Sequence, residues 1–200
     1  TFQGLEGPSD VSILIVTRKP GPLRSGIFHT HGGGYVLGSA RQYLWLIQPI
    51  AKALDVTIVS VDYRLAPETT YKGSVQDNYA GLKWLYDHAA ELGVDRKRLA
   101  VMGESAGGGH AALLALEARR RGEILIAYQV LLYPMLDDRT TVHPDPSPYH
   151  GQFVWTHQSN VFGWTSLLGQ APGGPDVSHY AAAARAEDLT GVPPTYIGCG

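Results

Sequence analysis

Short apolar segments of strand length alternate along this chain with segments of helical spacing. The strand segments cover residues 11–16, 27–31, 57–61, 99–102 and 127–133, and the helical ones cover 40–54, 74–88 and 111–118. The strand segments are mostly apolar and do not alternate with polar residues, which is typical of parallel strands that are buried on both faces. The sequence therefore predicts the doubly wound α/β class, a mostly parallel sheet with helices on both faces, and Ser74 is the expected N-cap of the second helix.

Composition sets limits on what the chain can be. Its 200 residues, 44% of them hydrophobic, suit a single domain over residues 1–200, and a formal charge of -2 gives no reason to expect a nucleic-acid partner. No apolar run approaches 18 residues and the first residues do not resemble a leader peptide, so we expect no stable membrane insertion and a cytoplasmic location. The single cysteine, Cys199, allows no internal disulfide.

A candidate nucleophile lies where the fourth strand segment passes into a helix. Residues 103–107 read Gly-Glu-Ser-Ala-Gly, so Ser105 is flanked by glycines in a G-x-S-x-G pattern. Such a pattern at a strand-to-helix junction is typical of a nucleophile elbow, a sharp turn with no room for β-carbons beside the exposed hydroxyl. The sequence predicts this turn at Ser105.

A second glycine-rich motif follows the strand segment 27–31. It reads His31-Gly32-Gly33-Gly34, and its glycines allow backbone N–H groups to approach a ligand closely. Because each motif follows a strand, chance is a poor explanation for the pair.

Two other interpretations of these residues remain open but are less favoured. Gly107, Gly109 and Ala112 match a G-x-G-x-x-A dinucleotide fingerprint, yet the acidic residue it requires would be Glu123, which precedes the next apolar run instead of following it. His29 and His31 alternate on one strand and could hold a metal, but no third ligand lies nearby in sequence. We expect neither a metal nor a cofactor.

Residues 137–180 differ in character from the rest and are expected to form a lid or an insertion. Prolines and aromatic residues dominate them, including Pro144, Pro146, Pro148, Phe153, Trp155, Phe162 and Trp164. These aromatic side chains either line an apolar acyl pocket or pack the lid onto the core, and the second role is the commoner one.

The chain resembles a known family through four motifs in order. They are H-G-G-G at 31–34, D-Y-R-L-A-P-E at 62–68, G-E-S-A-G-G at 103–108 and Y-P-M-L-D at 133–137. Together they resemble the hormone-sensitive-lipase-like branch of the α/β-hydrolases, and the resemblance spans residues 26–200. Glu104 stands where that branch usually has Asp.

The resemblance implies a serine carboxylester hydrolase that acts on short-to-medium acyl esters through an acyl-serine intermediate. It makes Ser105 the nucleophile and the backbone N–H groups of Gly33, Gly34 and Ala106 the oxyanion hole. Such fixed donors stabilise the charge that develops on the ester carbonyl oxygen. The expected partner is a small-molecule ester, and a homo-oligomer is left open.

The resemblance gives a structural role to His31 and to residues 62–68. His31 and Gly32 belong to the oxyanion-loop motif, and His31 together with residues 62–68 would hold that loop in place without carrying protons.

The resemblance places the rest of the catalytic triad outside this chain. In the family the acid follows the strand that matches residues 195–199 and the histidine comes one strand later, so both are expected past Gly200. The fold would then be incomplete at its C-terminus and also at its N-terminus, and the 200 residues alone are expected to be nearly inactive. A weaker alternative takes Asp137 or Asp138 as the acid and a lid histidine as the base, from among His143, His150, His157 and His179.

A different class of function shares the same motifs. The plant gibberellin receptors resemble this family but do not turn over substrate, so a non-catalytic receptor for a small molecule is the alternative to an esterase.

Overall fold

A computed structural model describes residues 2–3, 10–17, 21–144 and 147–199. The strands are β1 (Phe2–Gln3), β2 (Asp10–Val16), β3 (Arg24–Thr30), β4 (Thr57–Asp62), β5 (Val94–Glu104), β6 (Tyr128–Leu132) and β7 (Thr195–Gly198). The α-helices are α1 (Leu44–Leu54), α2 (Tyr71–Asp87), α3 (Ala106–Arg121) and α4 (His157–Leu168). Short 3-10 turns cover Ala40–Tyr43, Asp138–Thr141 and Ala183–Arg185.

Within these ranges the strands form one sheet in the order β1-β2-β4-β3-β5-β6-β7. The pairs β1–β2 and β2–β4 are antiparallel, and every other neighbouring pair is parallel. Because β3 and β5 are parallel neighbours with Thr30 opposite Gly103, the loops that follow these two strands leave the same edge of the sheet side by side.

Successive residues of the central strands face opposite sides of the sheet. Ile27, Ile58 and Met102 pack with the α1 residues Ile47 and Ala51. Their strand neighbours Phe28, Val59 and Val101 belong to the larger cluster formed with α2 and α3. The α/β class with helices on both faces is therefore confirmed. None of the helices described is both long and apolar enough to cross a bilayer.

Several element boundaries differ from those expected, and two of the differences have a clear physical reason. Helix α2 begins at Tyr71 after an extended Thr70, so Ser74 is not its N-cap but a buried residue of its first turn. Strand β5 begins at Val94, ahead of the apolar segment 99–102, because Val94 pairs with Arg24 while the charged residues that follow remain exposed. Hydrophobic periodicity cannot detect such a solvated strand extension.

Segment 137–180 contains no strand in its described part, and α4 forms its centre. Trp164 is fully buried with Leu167 against Tyr35 and Ala106, so this tryptophan packs the segment onto the core and does not line a pocket. Phe153 and Phe162 are exposed. Pro146 lies outside the described residues. Movement of the segment as a lid stays a prediction.

A partly buried ion pair fixes the loop after β4 to α2. Asp77, fully buried, accepts hydrogen bonds from the backbone N of Arg64 at 2.9 Å and from its Nε and Nη2 at 2.8 Å each. Bidentate pairs of this kind are stronger than neutral hydrogen bonds and constrain geometry. This pair anchors the 62–68 motif to the helix.

We expect Asp77→Ala to lower the free energy of unfolding by about 3 kcal/mol, because it removes the buried acceptor of three hydrogen bonds from Arg64. The matched control on the same helix is Asp87→Ala, which removes only the exposed pair with Lys83 and is expected to cost less than about 0.5 kcal/mol. Urea unfolding monitored by circular dichroism measures both. Equal losses would contradict a structural role for Asp77.

Candidate active site

Ser105 lies between β5 and α3 in a backbone conformation that side chains rarely adopt. Its φ is 53° and its ψ is -123°. The loop after β6 holds it there, because the N–H of Ser105 donates to Leu132 O at 2.9 Å and its carbonyl accepts from Met135 N at 2.9 Å. Strain of this kind persists only where the surroundings enforce it and is common at functional sites. The sharp turn predicted at Ser105 is present.

The glycines around Ser105 are required by close packing. A β-carbon on Gly103 would collide with the carbonyl of Gly107, and one on Gly107 would collide with Thr30 O. A β-carbon on Gly109 would meet Tyr35 Oη and Met135 O. Protein atoms therefore fill the space beside these glycines, which opposes the dinucleotide interpretation, where a phosphate must approach the backbone.

The H-G-G-G loop lies directly beside the turn at Ser105. At the position of a Gly32 β-carbon, Ser105 Cβ is 3.5 Å away and Glu104 O is 3.0 Å away. Gly33 and Gly34 have φ values of 124° and 59°, and their N–H groups bond to no other residue in the described ranges. Both motifs thus share one site.

Ala106 contributes a third free donor because it is the first residue of α3. The first N–H groups of a helix have no partner within it, and the N-terminus carries a partial positive charge. The structure therefore brings together Ser105 and backbone N–H groups on two separate segments.

Two residues of segment 137–180, Trp155 and Gly163, pack against Gly34 of the H-G-G-G loop. A β-carbon on Gly34 would collide with the indole of Trp155, and one on Gly163 would lie 2.7 Å from Gly34 O. Tyr35 adds a third restraint, since its buried hydroxyl donates to Met135 O at 2.8 Å. The loop is therefore held from several directions.

Glu104 joins this loop to β5, a role that the sequence did not reveal. Its Oε1 accepts from the N–H of Gly32 at 2.6 Å, and its Oε2 lies 3.0 Å from His29 Nε2. The other ring nitrogen of His29 bonds to Ser60 Oγ at 2.7 Å. Because a carboxylate oxygen only accepts, Nε2–H of His29 donates to Glu104, and in the neutral ring Nδ1 then accepts from Ser60. All three side chains are buried.

His31 is bound within the scaffold, in agreement with its expected role. Its Nδ1 lies 2.8 Å from Gly32 O, and its ring stacks on Tyr63 with centroids 4.3 Å apart. The Tyr63 hydroxyl donates to His31 O at 2.7 Å. Burial lowers the pKa of His31, which favours the neutral ring. Both ring nitrogens of His29 are engaged by Ser60 and Glu104, so His29 has no nitrogen left to share a metal with His31.

His110 is a buried histidine that the sequence analysis did not single out. It lies on α3 in T-shaped contact with Tyr35 and Tyr63, with ring centroids 4.9 and 4.6 Å away, and neither ring nitrogen has a hydrogen-bond partner among the described residues. Burial lowers its pKa to about 3. Loss of hydration disfavours the charged ring, and the nearby His31 lowers the pKa further.

The alternative acids of the sequence analysis are engaged elsewhere. Asp137 accepts from Nε and Nη2 of Arg139, which lowers the pKa of the carboxyl. Asp138 is buried and bonds to Arg185 Nε and Gly173 N, both at 2.6 Å. In the part of the chain that is described, no side chain bonds to Ser105 Oγ.

The candidate histidines of the lid lie in other surroundings. His150 and His157 line a surface cleft with Trp155 and Asn160, and His179 packs on Tyr180 with ring centroids 4.2 Å apart. His143 also has an interaction of its own. Among the described hydrogen bonds and ring contacts, none joins His150, His157 or His179 to Asp137 or Asp138.

Comparison with known proteins gives one consistent result. A family model described as "alpha/beta hydrolase fold" matches residues 27–200. The chain is 33% identical over 174 residues to Esterase LipI and 32% identical over 204 residues to Carboxylesterase NlhH, both of Mycobacterium tuberculosis; these matches cover 86% and 98% of this chain. It superposes on a solved structure entitled "Bacterial Heroin Esterase" with a TM-score of 0.88, 41% identity and 97% coverage.

The coverage of these relatives is partial. The chain spans 53% of LipI, 61% of NlhH and 62% of the heroin esterase structure.

Substitutions at Glu104 test its bridging role. We expect Glu104→Ala to lower the free energy of unfolding by about 3 kcal/mol or more, since it leaves the N–H of Gly32 and a nitrogen of His29 unpaired and buried. The matched control is Glu104→Gln, which can keep every hydrogen bond if the proton of His29 moves to Nδ1, and it is expected to cost about 1 kcal/mol. Chemical denaturation measures both. A loss from Ala no larger than that from Gln would refute the bridge.

His110 makes stability depend on pH. The unfolded ring takes a proton near its ordinary pKa of 6.5 and the folded ring only near about 3, so the folded state loses stability as pH falls between these values. We expect His110→Leu to reduce the slope of unfolding free energy against pH by about 1.4 kcal/mol per pH unit between pH 6 and 4. The exposed His150→Leu serves as control and is expected to leave the slope unchanged. An unaltered slope in His110→Leu would show that the buried ring is not responsible.

Proposed function

This chain belongs to the α/β-hydrolase family, in the hormone-sensitive-lipase-like branch, and from that membership we propose that it carries the nucleophile and oxyanion hole of a serine carboxylester hydrolase. The observation that carries the proposal is the placement of Ser105 beside the H-G-G-G loop, at the ends of two parallel neighbouring strands. The esterases among its relatives support the same conclusion.

In the proposed reaction, Ser105 Oγ attacks the carbonyl carbon of an ester and loses its proton to a general base. The carbonyl oxygen becomes negative and is stabilised by the N–H groups of Gly33, Gly34 and Ala106, each donor being worth about 10²- to 10³-fold in rate. Collapse of this intermediate releases the alcohol and leaves the acyl group on Ser105. Water then hydrolyses that second ester and returns the hydroxyl.

The surroundings of the loop supply preorganisation for this step. Glu104 fixes the peptide of Gly32, and Trp155 and Tyr35 restrain the residues that follow. Donors that are already oriented do not need to reorganise when charge develops, and the N-terminus of α3 adds a favourable partial charge. The described scaffold therefore suits oxyanion stabilisation.

We place the base and the acid of the triad outside this sequence. Two observations support that placement: the chain spans 53% to 61% of its curated relatives, and both aspartates of the 137–138 pair are bonded to arginines. The sheet edge at β7, where Tyr196 and Ile197 are exposed, suits the addition of further strands. Asp137 is therefore not our choice for the acid.

The proposed substrates are small esters of short-to-medium acyl chains, and the reaction as written requires no cofactor. Apolar and aromatic side chains near the loop, among them Leu37 and Trp155, suit an uncharged acyl or alcohol group. The cytoplasmic location and the state of oligomerisation stay predictions.

We expect the full-length protein to react covalently with a fluorophosphonate probe through Ser105, which displaces fluoride from phosphorus. Ser105→Ala should abolish the label and lower ester turnover by about 10⁶-fold, because loss of a triad member removes most of the catalysis. Ser166→Ala, on α4, is the matched control and should keep both. Mass spectrometry of the labelled peptide and a nitrophenyl ester assay measure the two outcomes.

Two results would count against the proposal. Full-length protein that binds small molecules but takes no label and turns over no ester would favour the non-catalytic receptor instead. Robust turnover by residues 1–200 alone would show that the base lies within this sequence.

A further inference from the structure

The hydroxyl of Tyr43 lies beside the H-G-G-G loop and takes no part in the scaffold contacts described above. Tyr35 donates to Met135 O and Tyr63 donates to His31 O, so both serve the scaffold. No hydrogen bond joins Tyr43 Oη to any other residue in the described ranges. Since Tyr43 is only half-buried, a bound molecule can reach its hydroxyl.

This hydroxyl lies beside the candidate nucleophile. It is 2.7 Å from the position of a β-carbon on Gly32, and Ser105 Cβ is 3.5 Å from the same point. The absence of a side chain at Gly32 is what leaves room for the phenol. A substrate bound to Ser105 therefore passes close to Tyr43 Oη.

The position of Tyr43 is fixed by its local structure. The residue ends the 3-10 turn Ala40–Tyr43, immediately before α1, and Asp62 Oδ1 accepts from Ala40 N at 2.6 Å at the start of that turn. The ring lies between those of His31 and Trp45, with centroid separations of 6.1 and 6.4 Å. A donor held in this way loses little entropy when it binds an acceptor.

The chemistry of the group is that of a neutral donor. Burial, followed by the nearby Glu104 and Tyr133, raises the pKa of the Tyr43 hydroxyl, so at neutral pH the phenol keeps its proton. It can donate one hydrogen bond and does not act as a base. A ligand that covers this hydroxyl without offering an acceptor leaves it unpaired, at a cost.

We propose that Tyr43 is a specificity-determining residue whose Oη donates a hydrogen bond to a second oxygen of the substrate. This inference rests on the proposed function. The favoured substrates are then esters that carry an ether or hydroxyl oxygen a few bonds from the reacting carbonyl, in preference to esters with carbon at that place. A site with a fixed donor discriminates against the analogue that lacks the acceptor.

The test compares pairs of esters that differ by one atom. On the acyl side the pair is nitrophenyl methoxyacetate and nitrophenyl butyrate, and on the alcohol side it is 2-methoxyethyl acetate and butyl acetate. For each pair the ratio of kcat/KM values, ether over hydrocarbon, is measured in the full-length wild type and in Tyr43→Phe. Differences in intrinsic reactivity between the esters cancel when the two proteins are compared.

We expect Tyr43→Phe to lower this ratio by about 3- to 10-fold in at least one pair, the size expected for one neutral hydrogen bond. A rise in KM would show that the bond forms on binding, and a fall in kcat that it forms in the transition state. Tyr149→Phe, which removes an exposed phenol, is the control and should leave both ratios unchanged.

The remaining outcomes separate this inference from the proposed function. If the wild type hydrolyses all four esters and both ratios stay within twofold in Tyr43→Phe, the inference is overturned and the esterase function stands. An equal loss for every ester would also overturn it, since that result indicates a general structural role. No turnover by the wild type would overturn the proposed function and this inference with it.

Discussion

One buried carboxylate links the two halves of the candidate site. Glu104 is the residue before Ser105 on β5, and it accepts the N–H of Gly32, which begins the glycine run after β3. A hydrogen bond to a charged acceptor is roughly twice as strong as a neutral one, and an unpaired carboxylate in this position would be costly. His29 and Ser60 complete its environment. The relative position of turn and loop is thus set by a bond between them, not by either segment alone.

Close packing between backbone segments also fixes the position of the turn at Ser105. The first turn of α3 approaches the end of β3 so closely that Gly103 and Gly107 admit no side chain. The strained conformation of Ser105 is held between these contacts and the loop after β6. Strain at one residue is tolerable because several independent bonds maintain it. The same contacts leave N–H groups of the loop and of α3 without partners among the described residues, which is the property that an oxyanion hole needs.

The polar groups around the loop fall into two classes by burial. His31, Tyr35, Tyr63 and His110 are buried in contact with one another, and their environment favours neutral forms. They support the loop and do not exchange protons. Tyr43 lies at the border between this cluster and solvent, with its hydroxyl unbonded among the described groups. The distinction between scaffold and substrate contact therefore depends on burial, because a bound molecule can reach a hydroxyl at the border but not a polar atom inside the cluster.

The sequence by itself determined the fold class, the position of the turn at Ser105 and the two glycine motifs, because periodicity and glycine requirements are local properties of the chain. It misplaced the start of α2, where Thr70 and not Ser74 precedes the helix, and it recorded Glu104 only as a departure from the family pattern. Only the tertiary structure decided the partners of Glu104, the burial of His110 and the placement of Tyr43 over Gly32. Those features join residues far apart in sequence, such as His29 and Glu104, and no local pattern encodes which distant groups a folded sheet brings together.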